Sequence, residues 1–79
     1  MTFISDEIVQ EFRSTCRSIL RECPDGYARA YASAGMSLSD RSTIKAQIHY
    51  ILSNTAHWQG ETARFTKAKL NSLAKLLAK

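Results

Sequence analysis

Turn-forming residues are scarce in this chain, which has three glycines and one proline among its 79 residues. A β-rich fold of this size needs more frequent turn punctuation, so the scarcity excludes hairpin-built architectures and favours helices. No apolar run approaches the roughly 20 residues a bilayer-spanning helix requires, which excludes a membrane span. The opening Met1-Thr2-Phe3-Ile4-Ser5-Asp6-Glu7 lacks the basic-then-hydrophobic order of a secretory signal, so the expected location is cytoplasmic. Cysteine is limited to Cys16 and Cys23. On one helix their Cα atoms lie about 10 Å apart, too far for a disulfide, so reduced thiols are expected.

Chemical signatures are lacking as well. There is no glycine-rich phosphate loop and no strand-turn-helix nucleophile elbow. Cys16, Cys23, His49 and His57 supply metal-binding atoms, but without the close pairing of structural zinc sites. Cys16 with either histidine has the atoms of a nucleophile and base, yet a chain this small does not build a deep pocket beside its core. The expectation is a protein that is not an enzyme, with no cofactor and no metal.

What is present is helical patterning over residues 1–79, read as one domain. A hydrophobic content of 44% suits a packed globule. A first helix is predicted over residues 6–22, with Ser5 as N-cap, Ile4 stapled to Val9, and Val9, Phe12, Cys16, Ile19, Leu20 and Cys23 as its apolar stripe. Pro24-Asp25-Gly26 breaks it. A short alanine-rich second helix follows over 27–34, capped by Asp25 or Gly26 and stopped by Gly35. Its Tyr27 and Tyr31 are expected to stack one turn apart. Met36 and Leu38 plug the core.

A third helix starts near residues 39–40, capped by Ser37 or Ser39, and carries Ile44, Ile48, Ile51 and Leu52 inward. Asn54 ends it in a left-handed conformation. A fourth helix spans 61–77, with Thr55 as a cap if Gly60 falls inside the first turn. Phe65, Leu70, Leu73, Leu76 and Leu77 point inward and Arg64, Lys67 and Lys75 outward. The fold class is therefore all-α, a compact bundle of about four helices. Its core is drawn from Val9, Phe12, Ile19, Leu20, Ile44, Ile48, Ile51, Leu70, Leu73 and Leu77.

Three surface features suggest binding. The formal charge of +4 is polarised: residues 61–79 hold Arg64, Lys67, Lys69, Lys75 and Lys79 against the single acid Glu61. A basic row of Arg64, Lys67 and Lys75 offers phosphate contacts or steering toward an acidic protein, although amphipathic helices ordinarily carry such charges outward. Trp58 sits at the corner between the third and fourth helices, either packed under it or standing out as a binding anchor, and Tyr27, Tyr31 and Tyr50 pose the same choice. A helix-turn-helix arrangement would present Arg41, Ser42, Lys45, Gln47 and His49 to DNA. Nothing in that pattern is specific.

The segments Tyr31-Ala32-Ser33-Ala34-Gly35, Ala46-Gln47-Ile48-His49-Tyr50-Ile51-Leu52-Ser53-Asn54 and Trp58-Gln59-Gly60-Glu61-Thr62-Ala63 resemble small helical accessory proteins encoded by phages and other mobile elements. The resemblance spans about half the chain and carries no catalytic motif and no functional residue. It implies a non-enzymatic inhibitor that blocks a host protein or ribonucleoprotein complex in the bacterial cytoplasm by stoichiometric binding, as anti-CRISPR proteins do. The expected partner-binding residues are Trp58, Tyr27, Tyr31, Arg64, Lys67 and Lys75. The alternative is a small DNA-binding regulator of helix-turn-helix type. The monomer and a homodimer through spare apolar positions of the first and fourth helices both remain open.

Overall fold

The computed structural model describes residues 6–78. Four helices make up the fold: α1 (Asp6–Glu22), α2 (Gly26–Gly35), α3 (Arg41–Ser53) and α4 (Glu61–Ala78). Each packs on its chain neighbours, and α4 closes the ring against α1. The all-α bundle expected from the patterning is what forms. The expected Ser5 cap and Ile4 staple lie outside the described residues.

α1 places Asp6 and Glu7 in its first turn and Arg21 in its last, each charge opposing the adjacent dipole end. Its stripe of Val9, Phe12, Cys16 and Ile19 is buried, while Leu20 is only partly covered at the edge of the core. α2 is capped by the Asp25 carboxylate, which accepts the Ala28 N–H at 2.9 Å. Ala28 and Ala32 are fully buried, and their small side chains let α2 sit close to its neighbours. Met36 and Leu38 pack against the core from the following loop.

Three expected caps are corrected. The N-cap of α3 is Asp40, not Ser37 or Ser39: its carboxylate accepts from the N–H groups of Ser42 and Thr43 and from the Ser42 hydroxyl. A single carboxylate oxygen, Oδ2, accepts all three, and its negative charge suits the N-terminal end of the helix dipole. Asn54 ends α3 at φ −110° and ψ 11°, not in the left-handed region. Its side-chain amide donates to the Tyr50 carbonyl at 2.8 Å, closing the last turn from the right-handed side. Thr55 does not cap α4. It is buried in the joint, its hydroxyl donating to the Leu52 carbonyl at 3.1 Å, and Gly60 supplies the first carbonyl of α4, accepting from the Arg64 N–H.

α4 also departs from expectation. It buries Ala63, Thr66, Leu70, Leu73 and Leu77, a regular 3,4,3,4 stripe. Phe65 and Leu76, expected inside, are 73% and 47% exposed. Each precedes a stripe residue by one position, about 100° around the helix, which carries it out of the core. No helix among the described residues is long and apolar enough to cross a membrane.

Candidate interaction surfaces

The tyrosines gather along the α2–α3 side. Tyr31 of α2 and Tyr50 of α3 stack with ring centroids 5.4 Å apart and planes inclined by 22°. This replaces the expected Tyr27–Tyr31 stack. The Gln47 side-chain amide donates to the Tyr31 carbonyl at 2.7 Å and holds α3 alongside, so Tyr31 meets a ring from the neighbouring helix. Tyr27, one turn earlier on α2, is left 73% exposed, and Tyr50 is 53% exposed. An aromatic strip with two exposed tyrosines results, the side-chain chemistry enriched at protein interfaces.

Trp58 is not part of that strip. At 6% exposure it belongs to the core beneath the α3–α4 joint, so it is withdrawn as a binding anchor. A chain with one Trp and three Phe gains more by burying its largest apolar surface than by displaying it. The Trp58 N–H donates to the Thr55 carbonyl at 3.0 Å, and its carbonyl accepts from Lys67 Nζ at 2.7 Å.

That second bond draws one member of the basic row toward the joint. Lys67 is half-buried and spends a donor on the joint, leaving Arg64 and Lys75 as the exposed cations of the row. Eleven residues of helix separate these two, roughly 16 Å. Lys69 lies on another flank, in an ion pair with Glu11 at 2.7 Å.

Three of the five residues that a DNA-reading α3 would present, Arg41, Ser42 and Gln47, are similarly engaged within the fold. Arg41 Nη1 donates to the Leu77 carbonyl, closing the C-terminal end of α4, and Gln47 serves Tyr31. Ser42 Oγ donates to the Asp40 carboxylate at 2.7 Å. Arg41 thus satisfies a carbonyl in the last turn of α4, which lacks an intrahelical partner. Arg13 donates to the Leu38 carbonyl at 3.3 Å.

Cys16 and Cys23 are free thiols buried in the core. Burial pushes the Cys16 thiol up to about 12, opposed by the nearby Arg17 charge. A thiol in that state is protonated and unreactive at neutral pH. Asp40 is shifted the other way: the hydrogen bond from the Ser42 hydroxyl, then that from the Thr43 N–H, hold its carboxyl below the ordinary value. Among the described residues no three His, Cys, Asp or Glu side chains gather as a metal ion would need.

The surface residues that sequence reasoning missed are Phe65 and Leu76. The spacing of the buried stripe was the available signal, since both fall one position out of register with it. They lie along the groove between α1 and α4. Near one end Phe65 stands beside Ser14 and Ser18, and near the other Leu76 and Leu73 line a hollow with Ile8. The helices therefore run antiparallel along this groove. Comparison with protein-family models, curated proteins and solved structures finds no match to the chain.

Proposed function

We propose that this protein is a non-enzymatic binding module that engages a protein partner stoichiometrically through the tyrosine strip of α2 and α3. The observation that carries the reading is the exposure of Tyr27 and Tyr50 beside the half-buried Tyr31. Tyrosine supplies large contact area at low conformational cost, and a ring already fixed by stacking loses less freedom on binding. The net charge of +4, with Arg64 and Lys75 exposed, favours encounter with an acidic partner.

In its most concrete form the partner is a host protein or ribonucleoprotein complex in the bacterial cytoplasm, and the module is a phage-type inhibitor of anti-CRISPR kind. The resemblance of the Tyr31, Tyr50 and Trp58 segments to mobile-element proteins supports that form, and two free cysteines suit a reducing compartment.

The test is affinity capture from nuclease-treated bacterial lysate with tagged wild-type protein and a Tyr27→Ser/Tyr50→Ser variant. The expected result is one stoichiometric protein retained by the wild type and lost by the variant. Equal retention by both would move the interface elsewhere. Capture that disappears with nuclease would replace the reading with nucleic-acid binding.

A further inference from the structure

We propose that the face between α3 and α4 binds the phosphate backbone of a nucleic-acid duplex, independently of sequence. Charge is divided unevenly across the bundle. In α3 and α4 the single acid Glu61 stands against Arg41, Lys45, Arg64, Lys67, Lys69 and Lys75, whereas four arginines meet four acids in α1 and α2. Two bonds fix the flanks these cations occupy. The Arg41 bond to the Leu77 carbonyl turns Arg41, and Lys45 one turn later, toward α4. The Lys67 bond to the Trp58 carbonyl turns Lys67 toward the α3–α4 joint, and Arg64 and Lys75 fall within about 80° of it around the helix. Lys69 lies on the other flank, with Glu11.

Arg41 opens α3 and meets Leu77 near the end of α4, so the two helices run antiparallel. Arg41, Lys45 and Lys75 therefore gather at one end of the face, and Arg64 and Lys67 at the other, roughly 12 to 16 Å away along α4. At that second end a hollow of about 370 Å³, lined by Gln59, Gly60, Arg64 and Lys67, gives an anion room beside two cations. Glu61, one turn before Arg64, is the acid of α4 closest to it in sequence, and Asp40 is occupied by its own cap. Bonds within the fold do not remove the charge: Arg41 and Lys67 each give a donor to a carbonyl, and a guanidinium and an ammonium carry five and three. They do turn Arg41, like Gln47, away from base edges, which leaves phosphate contacts that position a protein without specifying sequence.

What the face lacks identifies the partner. Among the described residues the exposed large hydrophobics lie elsewhere, Tyr27 and Tyr50 on the α2–α3 strip and Phe65 and Leu76 along the α1–α4 groove. A protein interface draws its energy from apolar and aromatic anchors, and single-stranded nucleic acid from rings on which bases stack. A duplex backbone asks only for cations. This surface is separate from the tyrosine strip and does not rest on the strip's having a protein partner.

The experiment is fluorescence anisotropy of a short random-sequence DNA duplex, and of its single strand, titrated with the full-length chain at several salt concentrations. Four phosphates met by the face correspond to an affinity loss of about 12-fold between 50 and 100 mM salt. Arg64→Gln/Lys75→Gln removes two exposed cations of the face and should reduce that loss to about 3.5-fold. Arg17→Gln/Arg29→Gln removes the same charge from α1 and α2 and should leave the 12-fold dependence in place. All four positions are exposed, and circular dichroism verifies that each variant keeps the helical fold. Tyr27→Ser/Tyr50→Ser should bind the duplex as the wild type does, so failure of the strip in lysate capture and failure of this face are read separately. A duplex that does not bind at 50 mM salt would overturn the proposal. So would an equal change of salt dependence in the two charge variants, or tighter binding of the single strand.

Discussion

The joint between α2 and α3 and the joint between α3 and α4 each have a glycine in or beside them, and the two glycines are there for opposite reasons. Gly35 is buried, and a Cβ placed on it would lie 3.0 Å from Cζ of Phe12 and 3.2 Å from Sγ of Cys16. Its backbone is the last residue of α2 and needs no special torsion. Gly60 is exposed, a Cβ there would meet nothing within 4 Å, and its φ is +110°. The first glycine answers to packing between helices, the second to local backbone geometry. Both joints are otherwise held alike, by a cationic side chain reaching a loop carbonyl: Arg13 to Leu38, and Lys67 to Trp58.

Substitutions would sharpen this contrast. The largest effect is expected at the Trp58 joint itself. Trp58→Ala should cost about 3 to 5 kcal/mol through lost burial and the cavity left behind, read as a lower denaturant midpoint. Loss of less than about 1 kcal/mol would mean the ring is not part of the core.

Next come the glycines, compared directly. Gly35→Val should destabilise by about 1 to 3 kcal/mol through overpacking against Phe12. Gly60→Ala should cost about 1 to 2 kcal/mol through backbone strain. The decisive reading is coupling. Phe12→Leu, by shrinking the neighbour, should offset part of the Gly35→Val cost and none of the Gly60→Ala cost. A double-mutant cycle with equal coupling at both positions would erase the distinction.

The smallest effect is expected at the start of α3, through pH. Hydrogen bonds depress the Asp40 carboxyl in the folded state, so its contribution to stability is present above the ordinary value of 3.8 and is lost as pH falls through the lower folded value. The stability gap between wild type and Asp40→Asn should therefore be widest near neutral pH and close in acid. Denaturant midpoints at the two pH values measure it, and a gap that widens in acid would contradict the cap.

Much of the architecture was legible from residue spacing. The α1 stripe, the Pro24 break and the isoleucines of α3 each announce a helix and its buried face, because a 3.6-residue period leaves little choice of side. The same logic failed for Phe65 and Leu76, where hydrophobic identity was followed in place of register. The candidate surfaces were less legible. Lys67, Arg41 and Gln47 read as outward-facing binding groups, yet each meets a carbonyl that only the folded chain brings within reach. A hydrogen bond across 9, 36 or 16 residues leaves no local trace in the sequence.

By itself, then, the sequence determined the number of helices, their approximate limits and most of their buried faces, since propensity, capping and periodicity act over a few residues. The tertiary structure decided which tyrosines pair and that Trp58 turns inward. It also decided that Gly35 lies under Phe12, and that Phe65 and a hollow share one groove. Those outcomes depend on which helix lies beside which, and that is set by the joint packing of all four helices.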